Sequence, residues 1–260
     1  MPVLSVDLAC KSVWDIGVAI LEPRRAGTST EFVEFGEPGQ TGPPSPSEVA
    51  ERCLHLCAQY GASILLLDGP QGWKDPDNGC EHSRVCERLL NAPAKTGLPG
   101  YVKPKGYTAF VEFSVAVFDA LDRRGMTRAL QPALAQVGPT AVESFPLAAW
   151  RALGLPALPA KSKATPADLR THFRALCETH QVTAITEPNH DQLQALVAGL
   201  AGLAMEEGRL EAFAMLGAAP RILDGVWREG YMSIPIKAAI AARAGRPDLR
   251  RQPSRSRQRP

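Results

Sequence analysis

Apolar and polar positions along this chain fall into short runs punctuated by glycine and proline. Val3-Leu4-Ser5-Val6-Asp7-Leu8-Ala9 has the apolar content of a buried strand but carries a carboxylate. Ile64-Leu65-Leu66-Leu67-Asp68 repeats the device and ends on an acid just before Gly69-Pro70. A carboxylate inside such a strand is costly unless something pairs with it or coordinates it, and two strand-end carboxylates can share one cation. Between them, residues 12–21 read as mixed strand and Thr30 to Phe35 alternates as a half-exposed strand does. With short connections, three sequential strands make an antiparallel meander. Gly36 to Pro46 is a Gly- and Pro-rich loop; Ser47 is placed to cap a helix over Glu48 to Tyr60 with Val49, Cys53, Leu56 and Cys57 on one face, and Gly61 stops it. The strand at 62–68 then follows a crossover that lays it parallel to its neighbour.

Residues 69–105 hold only one short helical pattern, around Glu81 to Leu90, and a stretch of that length in a compact domain points to function. From Arg88 to Lys105 it carries Arg88, Lys95, Lys103 and Lys105 and no acid, which suits either an anionic substrate or a solvated loop. Tyr107 to Arg124 has helical spacing, and Thr140 to Pro146 reads as a short strand carrying Glu143. Thr165-Pro166-Ala167-Asp168 opens a helix reaching about His180, and Asn189 caps another over His190 to Glu207. Small residues at 195, 198, 199, 201 and 202 would let that last helix lie close against a sheet. A strand-like piece from Gly225 to Ile234 and a short helix over 235–243 close the pattern, predicting one domain over 1–243 with an insertion at 69–105.

Composition changes this picture little: 45% apolar and 22% charged residues are ordinary for a globular chain of 260 residues. No stretch has the roughly 18 apolar residues of a membrane span, and no signal-peptide pattern opens the chain, so no membrane association and a cytoplasmic location are expected. The six cysteines are expected as reduced thiols. Neither Cys53/Cys57 with His55 nor Cys80/Cys86 with His82 has the close pair of a structural zinc site. Charge is asymmetric, since residues 241–260 hold seven arginines against Asp248 and leave the rest of a +2 chain at −4. Residues 244–260 are accordingly predicted to be a disordered basic tail, either solubilising or in contact with a polyanion.

Asp7, Asp68, Glu143 and Asp191 fall at three strand ends and one helix start, where distant side chains converge at a sheet edge. Oxygen donors of this kind suit Mg²⁺ or Mn²⁺. Each also has a purely structural reading, as a hydrogen-bonded acid, an edge-strand acid, or, for Asp191, an acid favoured by a helix N-terminus. Gly69-Pro70-Gln71-Gly72 is neither a dinucleotide nor a Walker-type loop, and no GxSxG elbow is present.

In Ser5-Val6-Asp7-Leu8-Ala9, Leu67-Asp68-Gly69-Pro70, Arg84-x-Cys86-Glu87-Arg88, Glu143-Ser144-Phe145-Pro146 and His190 to Leu196, in that order, the chain resembles the group catalogued as domain of unknown function 429. Its members are expected to be nucleases with a ribonuclease H-like fold. The resemblance covers residues 3 to about 234. It implies an α/β mixed sheet, a three-stranded antiparallel meander plus parallel strands, with helices on both faces. It further implies a divalent metal at Asp7, Asp68 and Asp191 with Glu143 nearby as the catalytic carboxylates, and a nucleic acid or other phosphate-bearing substrate. Arg84, Arg88, Lys95, Lys103 and Lys163 are the candidate substrate contacts. One departure is Gln194, where the family often has a second helix acid, so a second metal is in doubt. A non-catalytic nucleic-acid or regulatory module therefore stands as an alternative, and an actin-like phosphotransferase as another, although its glycine-rich phosphate loops are missing.

Overall fold

The computed structural model describes residues 1–25, 27–132 and 138–237. The expected helix over 235–243, all but its first residues, and the expected tail at 244–260 lie outside them. The meander forms as β1 (Val3–Asp7), β2 (Gly17–Arg24) and β3 (Gly27–Phe32), paired antiparallel, with a 3-10 turn at Val13–Asp15 taking the first part of the expected second strand. Helix α1 (Pro46–Tyr60) starts earlier than expected. Ser45, not Ser47, is the N-cap, because Glu48 three residues on closes a capping box with it and Pro46 fits the first turn. Strand β4 (Ile64–Asp68) then runs parallel to β1.

The long segment after β4 contains α2 (Val85–Leu89) and a two-stranded hairpin of β5 (Lys95–Thr96) and β6 (Val102–Lys103). It leads into α3 (Thr108–Asp122), β7 (Thr127–Arg128), β8 (Thr140–Ser144), α4 (Pro146–Ala152), α5 (Pro166–His180), β9 (Val182–Ala184) and α6 (His190–Glu206). The chain closes on a hairpin of β10 (Phe213–Leu223) and β11 (Val226–Pro235). Among the described residues one nine-stranded sheet has the order β10-β11-β8-β4-β1-β2-β3-β9, with β7 beside β8. The central order β3-β2-β1-β4-β8, with only β2 antiparallel to its neighbours, is the ribonuclease H-like arrangement.

Strand alternation divides the core into two layers. Leu4, Val6, Val18, Ile20, Leu65, Leu67 and Ala141 pack with α1 and α3. Val3, Ile64, Leu66 and Val142 pack with Ala201, Ala204 and Met205 of α6 on the opposite face. The small residues of α6 allow this contact: a Cβ on Gly199 would stand 2.5 Å from Leu21 Cδ1, and one on Gly202 would stand 2.2 Å from Leu66 Cδ2. No helix among the described residues is long and apolar enough to cross a membrane.

Candidate active site

The parallel register puts Val6 beside Leu67, and one residue further on it brings Asp7 to Asp68 at the same edge of the sheet. Both lie on the face that α6 covers, because they share the parity of Val3, Ile64 and Leu66. Gly69, with φ 130°, turns the chain away directly after Asp68; a Cβ there would meet Ser114 Oγ of α3 at 2.3 Å. Burial, then the charges of Asp68 and Asp191, hold the Asp7 carboxyl well above the usual carboxylate range, with Lys161 opposing. Burial likewise pushes Asp68 to about 7, with a hydrogen bond from Asp7 opposing and the charge of Glu143 adding to it. Two buried carboxylates this close are short of positive charge.

Asp191 reaches the same edge from α6. Asn189 caps this helix through Gln192 N, which fixes Asp191 in its first turn. Gly17 of β2 admits the turn, since a Cβ there would be 2.1 Å from the Asp191 carbonyl carbon. Both Asp191 oxygens are engaged: Oδ1 by His190 Nδ1 at 3.1 Å and Oδ2 by the Lys161 ammonium, which also donates to Asp15 at 2.7 Å. Burial raises the Asp191 carboxyl, but the hydrogen bonds from His190 and Lys161 outweigh it and leave the group below its ordinary value.

Glu143 stands differently. Its partner across the ladder is Leu67, whereas Asp68 faces Ser144, so Glu143 belongs to the opposite face of the sheet. There it accepts from Arg84 Nη1 and Nη2 at 2.7 and 2.6 Å and from Gln71 N at 3.0 Å, wholly buried. Burial raises its carboxyl and the Arg84 guanidinium opposes the shift. Arg84 is 1% exposed and is spent on Glu143 and Glu87 rather than open to a substrate.

The remaining basic residues of the expected substrate set separate in space. Arg88 and Lys95 line an open depression of about 330 Å³ with His82 and Asn91. Lys103 is exposed opposite Lys95 on the β5–β6 hairpin. Lys163 is exposed in the loop before α5, and Lys161, two residues earlier, is the one that meets Asp191. Lysines two apart in a loop carry no signal in sequence that would tell them apart. Gln194, the departure on α6, accepts from Trp150 Nε1 at 2.8 Å. A cleft of about 580 Å³ between α1 and the loop before it includes none of these acids.

The donor set is partly suited to a hard cation. Asp7 and Asp68 offer two closely placed oxygen ligands that form no ion pair among the described residues, which suits Mg²⁺ or Mn²⁺. Asp191 does not fit as it stands, and among the described residues no three or more His, Cys, Asp or Glu side chains are grouped so as to hold a metal.

No family model matches the chain, and no curated protein matches it. Among solved structures it is similar to Thermus thermophilus RuvC, at 11% identity and a TM-score of 0.38, covering 80% of this chain and 97% of that one. It is also similar to T. thermophilus RuvC in complex with a Holliday junction substrate, at 13% identity and a TM-score of 0.36, covering 80% and 96%. Likeness at this level does not identify the chain.

Proposed function

We propose that this protein is a divalent-metal-dependent phosphodiester hydrolase of the nuclease type, and that it belongs with the domain of unknown function 429 group whose motifs it resembles. The observation that carries this reading is the pairing of Asp7 with Asp68 at adjacent parallel strand ends, with Asp191 in electrostatic range. Carboxylates raised chiefly by burial are costly to hold without a cation, and such clusters gather at functional sites.

In this reading Asp7 and Asp68, with Asp191 beside them, would hold Mg²⁺ or Mn²⁺, which would neutralise phosphate charge and lower the pKa of water. Lys161, half exposed and paired with Asp191, places an ammonium beside the site where it can meet a phosphate oxygen. Glu143 acts through position, fixing Arg84 and the backbone of Gln71 just beyond Asp68. Manganese-dependent cleavage of a panel of DNA and RNA substrates, abolished in Asp7→Asn, is the expected result. A wild-type protein that shows no metal binding by calorimetry overturns it.

A nucleic-acid-binding module without turnover is the second reading, favoured by the engagement of both Asp191 oxygens within the protein. Binding of nucleic acid with no cleavage under any divalent metal would select it.

A further inference from the structure

Beside Asp68 lies a half-open cavity of about 160 Å³, walled by the turn at Gly69 and Pro70, the 92–96 segment, the start of α3, the end of β8, Met232 of β11 and the Arg84, Glu87 and Glu143 group. Its wall is mainly apolar and aromatic, with Tyr107, Phe110, Phe145 and Met232. Thr96 and Ser144 also belong to the wall, with their hydroxyls buried behind its open surface. At about half the lower end of ordinary small-molecule sites, roughly 300 Å³, the space suits one ring rather than a whole nucleotide.

The flank of the cavity adds a second, independent observation. Thr96 lies on the β5–β6 hairpin, where Lys95 and Lys103 are directly opposite each other. Like charges facing across a strand pair are destabilising, and residues 88–105 contain no acid to relieve them. Among the described residues the Glu87 carbonyl alone accepts from Lys95, at 3.2 Å. The same hairpin exposes Leu98 and Tyr101 between its strands, 47% and 64% accessible. Positive charge interleaved with exposed aromatic surface is the pattern of a single-strand contact.

We propose that the cavity receives one unstacked nucleobase of a single-stranded nucleic acid, its face against Tyr107 and Phe110, while the β5–β6 hairpin holds the flanking phosphates. The proposal rests on the reading of Asp7 and Asp68 as a phosphodiester site, and it gives that site a reason to prefer unpaired strands: a base in a duplex would first have to be flipped out.

The test is equilibrium binding of the full chain, in chelator so that nothing is cut, to a short single-stranded oligonucleotide in which one abasic position is walked along the strand. One position is expected to lower affinity about tenfold, the scale of one stacked base. Ala94→Trp, which fills the cavity, is expected to erase that position dependence and keep the salt dependence set by phosphate contacts. Wild-type protein that binds and, with metal, cuts while tolerating every abasic position alike overturns the base pocket and leaves the hydrolase. Position-dependent binding without cleavage under any metal keeps the pocket and removes the hydrolase. A protein that binds no oligonucleotide overturns both.

Discussion

Arg84 and Glu143 meet end-on inside the protein, Nη1 and Nη2 each donating to one carboxylate oxygen at 2.7 and 2.6 Å, and both residues are at most 1% exposed. The pair ties the segment after β4 to the end of β8, next to the carboxylates of the candidate site. Removing one partner strands the other charge, so Arg84→Met and Glu143→Leu are each expected to cost about 3–5 kcal/mol. The double variant is expected to cost clearly less than the sum, because the groups are coupled. Urea denaturation of the three variants measures this, and additive losses would mean that the two groups do not act as a pair.

The pH dependence in chelator follows from Asp68 and Asp7. Their carboxyls are raised in the folded protein, Asp68 to about 7, chiefly by burial, whereas an unfolded Asp titrates near 4. Between these values the folded state holds more protons on this pair than the unfolded one, so the pair's contribution to metal-free stability is fully present below about pH 4 and is lost as pH rises through 7. Asp68→Asn is expected to flatten this slope and raise the melting temperature at pH 8. A wild-type melting temperature that climbs between pH 5 and pH 8 in chelator would contradict it.

Gly17 sets how closely α6 approaches β2, since its Cβ would fall 2.1 Å from the backbone carbonyl carbon of Asp191 and 2.6 Å from Gln192 N. Backbone cannot rotate away as a side chain can. Gly17→Ala is therefore expected to destabilise by about 1–3 kcal/mol through overpacking. It should also displace Asp191 and reduce any metal-dependent cleavage by up to about a hundredfold. Thermal unfolding and cleavage rates on the same preparation check both, and unaltered cleavage would show that the position of Asp191 is immaterial.

Gln194 accepts the indole N–H of Trp150, whose ring is buried against α6 and stands edge-on to His172. Gln194→Leu leaves that donor without a partner and is expected to cost about 1–3 kcal/mol. Gln194→Glu keeps an acceptor and should cost less in chemical denaturation. Equal losses for the two would show that the hydrogen bond contributes nothing.

Much of the scaffold could be read from the chain because its signals are local. Thr165 with Asp168 and Asn189 with Gln192 close capping boxes at the helix starts that their spacing indicates, since each cap uses only residues three apart. The acids ending β1 and β4 were legible for a similar reason: each interrupts its own apolar run. Strand β10 was not, because Phe213–Leu223 is largely half-exposed or exposed, lacks an alternating pattern, and is held by pairing with β11. The roles of the remaining polar residues were decided only in three dimensions. Glu143 and Asp68 both look like strand-end acids, but the β4–β8 register sets Glu143 opposite Leu67 and Asp68 opposite Ser144. A shift of one residue exchanges the faces of a strand, so pairing between strands distant in sequence sent one acid to α6 and the other to Arg84. Likewise the loop before α5 brought Lys161 rather than Lys163 to Asp191, and packing of α4 against α6 gave Gln194 to Trp150.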